Sequence, residues 1–254
     1  MKLAIAGKGG VGKTTLAAIL SVLYRDEGCT VLVIDADSNP NLSMILGIPP
    51  EDAIPLTDRR ELIEERTKAK MGGFGTIFKL NPRVDDIAAT YAVNKNGINL
   101  LVMGTVTAPE SGCACPANVL VKQLLTHLLL TEKDVVICDL EAGVEHLGRG
   151  TAKAVDAMII VVEPGRRSAE TANRIHTLGR GLGITHVYAV GNKIRNEDEK
   201  QFLKEILSMD ILGFIPYDGK IRKADMRGEP PFFDDLLSEI ASIKQTLERK
   251  VNEK

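Results

Sequence analysis

Gly7-Lys8-Gly9-Gly10-Val11-Gly12-Lys13-Thr14-Thr15 fits the pattern G-x-x-x-x-G-K-[ST]. In such a loop successive backbone N–H groups cradle phosphates. The apolar run Leu3-Ala4-Ile5-Ala6 precedes it and Leu16-Ala17-Ala18-Ile19-Leu20 follows it, which is the strand–loop–helix setting the pattern requires. Glycines let the backbone curl so that its N–H groups and the positive end of the following helix meet one anion. Gly9, Gly10, Val11, Gly12, Lys13, Thr14 and Thr15 are therefore the expected nucleotide contacts. Lys13 would reach the outer phosphates and Thr14 would set a hydroxyl on Mg²⁺. The plainer reading is a glycine-rich turn between a strand and a helix.

Working outward, Val31-Leu32-Val33-Ile34 is a second continuous apolar run, as in a strand covered on both faces. It ends in Asp35-Ala36-Asp37, and carboxylates at the carboxyl end of a strand beside a phosphate loop are placed for Mg²⁺ and the attacking water. Asp35 reads equally as a capping or turn residue. Val135-Val136-Ile137-Cys138 runs in the same way into Asp139, the position that holds Mg²⁺ through its water shell. Gly143, four residues on, would let this segment move with the γ-phosphate. Cys138 reads as a small core residue, and His146 as a capping or exposed one.

Ile98–Gly104 and Met158–Glu163 add two more strands. His186–Gly191 and Ile211–Tyr217 add another two, separated by helices near Ser168–Leu182 and Asp198–Ser208. Strands of continuous apolar residues alternating with helices predict an α/β fold, a single-domain doubly wound and mostly parallel sheet of about seven strands over residues 1–254. Residues 41–96 form an insertion whose structure the sequence does not specify, beyond a charged helical stretch at Thr57–Arg66 and a glycine-rich interruption at Met71–Gly75. The last segment carries Leu236, Ile240, Ile243, Leu247 and Val251 at helical spacing, with mixed charge opposite. That mixture favours packing on the body over insertion into lipid.

At 254 residues, 44% of them hydrophobic and with net charge −2, the chain can bury a large core and shows no strongly basic field for nucleic acid. Trp is absent and aromatics are 4%, which argues against base stacking along a strand of nucleic acid. No apolar run approaches the roughly 20 residues that cross a membrane. These features predict a cytoplasmic protein without nucleic-acid or membrane partners. In a reducing compartment its four cysteines are expected to be free, reactive or metal-bound.

Two of them stand in Glu110-Ser111-Gly112-Cys113-Ala114-Cys115-Pro116, ahead of a helix expected over Val119–Leu130. On a straight strand the two thiols would face opposite ways, and Gly112 and Pro116 supply the turn that joint ligation needs. Two thiolates are half of a four-ligand shell, so a two-fold dimer would complete it. Softness suits Zn²⁺ or an iron–sulfur cluster when tetrahedral and Ni²⁺ when square-planar. Two small loop cysteines without a ligand are the alternative.

Lys8 is not required by the phosphate-loop pattern. With it the loop resembles the deviant Walker A sequence K-G-G-x-G-K-[ST] of the ATPase family that includes nitrogenase iron protein, division and partition ATPases and metal-cofactor assembly factors. The resemblance implies ATP hydrolysis to ADP and a homodimer in which Lys8 reaches the nucleotide of the facing subunit. It also implies that Asp37 lies in switch I and positions the water, and that Asn192, within Asn192-Lys193-Ile194-Arg195, meets the adenine edge, with Pro216 and Tyr217 packing around the base. Arg195 stands where the GTPase motif N-K-x-D has its guanine-reading aspartate, so guanine selectivity is not expected. The placing of Cys113 and Cys115 resembles the CooC-type ATPases, which implies an ATP- and metal-promoted dimer delivering Ni²⁺ to an apo carbon monoxide dehydrogenase. The alternatives are a partition- or division-type switch acting on DNA or membrane, and an electron-donating iron–sulfur ATPase.

Overall fold

Three strands are buried at every residue: β2 (Val31–Ala36), β5 (Val135–Leu140) and β6 (Ala157–Val162). A strand that is apolar on both faces needs cover on both, and the chain provides it. The computed structural model describes residues 1–37, 39–69, 79–104, 116–131, 135–141, 147 and 152–253. Among these an eight-stranded sheet runs in the order β3-β4-β2-β5-β1-β6-β7-β8. The remaining strands are β1 (Lys2–Ala6), β3 (Val93–Lys95), β4 (Ile98–Val102), β7 (Val187–Ile194) and β8 (Ile211–Pro216). All neighbours are parallel except β3 with β4.

The count corrects the expected seven. The extra strand is β3, three residues at the sheet edge, half-buried at Val93 and exposed at Asn94 and Lys95. It returns into β4 through Asn96 (φ 50°) and Gly97 (φ 85°), the Asn-Gly turn whose two positive φ values match strand twist. Short, polar edge strands lack the continuous apolar run by which their buried neighbours were legible.

Side chains alternate between two cores. Leu3 and Ile5 of β1 face α1 (Lys13–Asp26) and α9 (Asp234–Asn252), whereas Ala4 and Ala6 face the layer of α3 (Arg60–Thr67), α4 (Ile87–Tyr91), α5 (Pro116–Thr131), α6 (Arg166–Leu182) and α7 (Glu197–Ile206). Cys138 is fully buried in the second core, and burial pushes its thiol up to about 12. Two short helices, α2 (Leu42–Ile45) and α8 (Gly219–Arg227), flank the carboxyl edge of the sheet.

The last helix packs on the body. Leu236, Ile240, Ile243 and Leu247 are buried, each stabilising by about 1.5–3 kcal/mol relative to exposure. Lys244 fixes its rotation: the ammonium lies 2.8 and 2.6 Å from the two Glu27 carboxylate oxygens, 2.9 Å from Glu248, and 4.3 Å from the Tyr24 ring centre. No helix among the described residues is long and apolar enough to cross a membrane.

Candidate functional site

The phosphate loop leaves β1 at the middle of the sheet. Gly7 has φ 144° and a Cβ there would strike the carbonyl oxygen of Val161, so the loop passes β6 at a distance only glycine permits. Gly10 and Gly12 also have positive φ (79° and 101°), open to glycine without strain. Gly12 caps α1 with no side-chain bond to the first turn, leaving that turn to an outside acceptor. Val11 is buried and anchors the loop in the core, whereas Gly9 and Gly10 are exposed.

Lys13, the first residue of α1, is 5% exposed. Its ammonium lies 3.8 Å from Asp37 Oδ2. Asp37 is held in turn, its Oδ1 accepting from the Asn39 N–H at 3.0 Å. Asp35, two residues before, is fully buried and accepts from the N–H of Asp37 (3.2 Å) and of Leu42 (3.0 Å). It thereby closes the turn after β2 and docks the start of α2. Burial raises its pKa to about 6 against these two bonds, which act to lower it.

Asp139 is opposite Asp35 in the β2–β5 register and beside Ile5 of β1. It is fully buried, and neither carboxylate oxygen has a partner in hydrogen-bond geometry among the described residues. Burial pushes it to about 7; the nearby Thr14 hydroxyl and Lys13 act to lower it, and Asp35 and Asp37 to raise it. An ionised carboxylate so placed is costly unless a cation or donor arrives. Two orphaned oxygens beside the Thr14 hydroxyl suit a hard, oxygen-seeking ion such as Mg²⁺.

On the other side, β7 ends against the loop. Asn192 Nδ2 donates to the Val11 carbonyl at 2.7 Å, and Lys193 Nζ donates to the Gly10 carbonyl at 2.7 Å. Lys193 also pairs with Glu163 Oε2 at 3.1 Å. Glu163 directly follows β6, as Asp35 and Asp139 stand at the carboxyl ends of β2 and β5, a signal present in the sequence.

A cleft of about 630 Å³ opens from Gly10, Gly12 and Thr15 past Asn192, Pro216 and Tyr217. Leu16, Met44, Ile215 and Ile240 give it apolar walls, and Glu199, Arg222 and Asp225 are among the charged residues that also line it. A cleft with both apolar walls and polar groups suits a ligand with a charged tail and a flat body. Arg195 lies 4.6 Å above the Tyr217 ring centre, fixing that ring at the mouth. The structure thus brings the loop, Lys13, Asp37, Asp139, Asn192, Lys193, Pro216 and Tyr217 to one edge. Lys8 is half-buried there, and its ammonium has no hydrogen-bond or ion-pair partner among the described residues. Cys113, Cys115, Gly143 and His146 lie outside the described residues.

Comparison with known proteins agrees with this geometry. Residues 2–232 match the family model described as the CobQ/CobB/MinD/ParA nucleotide binding domain. The chain is 47% identical over 233 residues to an ATP-binding protein of Methanocaldococcus jannaschii, covering 91% of this chain and 90% of that one. It is 45% identical over 232 residues to the carbon monoxide dehydrogenase accessory protein CooC of Rhodospirillum rubrum, covering 90% and 88%. Among solved structures, the MinD cell division protein of Aquifex aeolicus superposes with a TM-score of 0.69 at 24% identity, over 99% of this chain and 97% of that one. That last likeness shows the fold.

Proposed function

The chain belongs to the CobQ/CobB/MinD/ParA nucleotide-binding family and is an ATPase, and from that premise we propose that it is an ATP-gated homodimer that delivers nickel to an apo carbon monoxide dehydrogenase. The observation that carries the client is the 45% identity, over nine-tenths of the chain, to a carbon monoxide dehydrogenase accessory protein. Cys113 and Cys115 carry the metal: four thiolates from two subunits would make one Ni²⁺ or Zn²⁺ site.

ATP would lie along the cleft with its phosphates on the N–H groups of residues 9–15. Lys13 then exchanges its 3.8 Å pairing with Asp37 for the outer phosphates, and that exchange frees Asp37 to orient the attacking water. Thr14 and Asp139 are the residues that would hold Mg²⁺, whose charge offsets that of the phosphates. Lys8, unpaired among the described residues, is available to the nucleotide across the two-fold axis. The γ-phosphate thereby favours the closed dimer by its differential contacts, and hydrolysis reopens it. Pro216 and Tyr217 would pack the base.

The test is reconstitution of nickel-free carbon monoxide dehydrogenase with limiting Ni²⁺. Wild-type protein with ATP should restore activity at least about tenfold faster than protein with ADP, or than the Cys113→Ala/Cys115→Ala variant with ATP, a difference of about 1.4 kcal/mol in barrier. Equal rates in all three would refute delivery. ATP-dependent capture of the chain by DNA or liposomes would favour the partition or division reading instead.

A further inference from the structure

Consecutive residues of a strand send their side chains to opposite faces, yet Asn192 and Lys193 both reach the phosphate loop. The backbone explains how. Lys193 has φ 60°, one of three non-glycine positive values among the described residues. The other two have ordinary causes: Lys68 caps α3 and Asn96 makes the Asn-Gly turn. Lys193 lies within β7 instead, where the pairing with β8 shifts register between Gly191 and Ile194. A bulge that re-aims side chains, at a residue for which the left-handed region is costly, is maintained only when the surrounding contacts over-determine it.

We propose that Asn192 and Lys193 are positioning residues that clamp the phosphate loop in its anion-binding shape. They hold two successive carbonyls, those of Val11 and Gly10. In a trans peptide the C=O and the next N–H point in opposite directions, so drawing these carbonyls toward β7 turns the N–H groups of Gly12 and Val11 away from it. The Val11 N–H closes the loop's own turn on the Lys8 carbonyl at 3.4 Å. The Gly12 N–H is left facing the phosphate side. Two further contacts tighten the clamp: Lys193 N–H donates to Asn192 Oδ1 at 2.8 Å, and Glu163 holds the Lys193 ammonium at 3.1 Å. The clearance is that of a hydrogen atom, because a Cβ on Gly12 would collide with Asn192 Nδ2. This assignment rests on nucleotide binding alone and holds whatever the ATPase serves. It differs from a base-reading role, in which the Asn192 amide faces adenine.

Binding of MgATP and of magnesium tripolyphosphate, which has no base, separates the two roles. Calorimetric titration of wild type, Asn192→Ala and Lys193→Met should show both ligands weakened by a common factor, about tenfold for each variant, the scale of one lost hydrogen bond. The ratio of the two affinities should stay within about twofold of wild type. Asn192→Leu, close to the native volume, gives the same readout should the alanine variant fold poorly, and unfolding midpoints without ligand report folding. ATP weakened with tripolyphosphate unchanged would overturn the clamp in favour of base reading. Both affinities unchanged would overturn it as well.

Discussion

On the β2–β5 side of the phosphate loop a carboxylate, Asp139, is buried with both oxygens unpartnered among the described residues and Asp35 alongside it. On the β7 side, Asn192, Lys193 and Glu163 are bonded to the loop and to one another. The first flank is electrostatically incomplete and is satisfied only when a cation and a phosphate arrive. The second is complete beforehand and costs no reorganisation on binding. The difference divides the labour: one side supplies the drive for Mg²⁺ and nucleotide, the other supplies shape.

The contrast breaks most severely at Gly12. Gly12→Ala combines a positive φ of 101° with a collision against Asn192, and it should weaken MgATP by about 100-fold or more, a loss of about 2.8 kcal/mol, measured by calorimetric titration. On the incomplete flank, Asp139→Asn should act in two directions at once. It removes a buried charge and should raise the stability of the nucleotide-free protein by about 2–4 kcal/mol at pH 8, read from denaturant unfolding. The same variant should lose Mg²⁺-dependent ATP hydrolysis. A variant neither stabilised nor inactivated would erase the distinction between the flanks.

Acid should sharpen it. Asp35 and Asp139 are raised to about 6 and about 7, so between about pH 4 and pH 7 the folded chain keeps protons that the unfolded chain has released. That contribution to stability is complete below about pH 4, falls across the window, and is fully lost once the pH has risen past about 6 for Asp35 and about 7 for Asp139. Unfolding midpoints of the nucleotide-free protein followed from pH 5 to 8 should show a fall that Asp139→Asn flattens. The smallest effect belongs to the completed flank: Glu163→Gln removes a pair that is one-third to two-fifths exposed, and MgATP affinity should drop by no more than about threefold.

The incomplete flank was the more legible in sequence. Its carboxylates end continuous apolar strands, and the strand–loop–helix around Gly7–Thr15 fixes where those strands end. The apolar runs likewise announced β1, β2, β4, β5 and β6, because strands covered on both faces cannot alternate. The completed flank was half hidden. Asn192 and Lys193 were found, but their direction depends on a φ of 60° at a lysine, a conformation that nothing in lysine's own chemistry favours. β3 was missed because an edge hairpin of Val93-Asn94-Lys95 needs no apolar run. From sequence Asp35 reads equally as a capping residue and as a metal-side carboxylate, and the structure shows two backbone N–H groups on its carboxylate.

The most direct test of nickel delivery by an ATP-gated dimer is equilibrium Ni²⁺ binding with simultaneous determination of molecular mass, in ADP, in ATP and without nucleotide. ATP-gated delivery requires one Ni²⁺ per dimer, a dimer population that rises with ATP and nickel together, and loss of both in Cys113→Ala/Cys115→Ala. A chain that stays monomeric in every state, or that binds nickel equally well without Cys113 and Cys115, would contradict it.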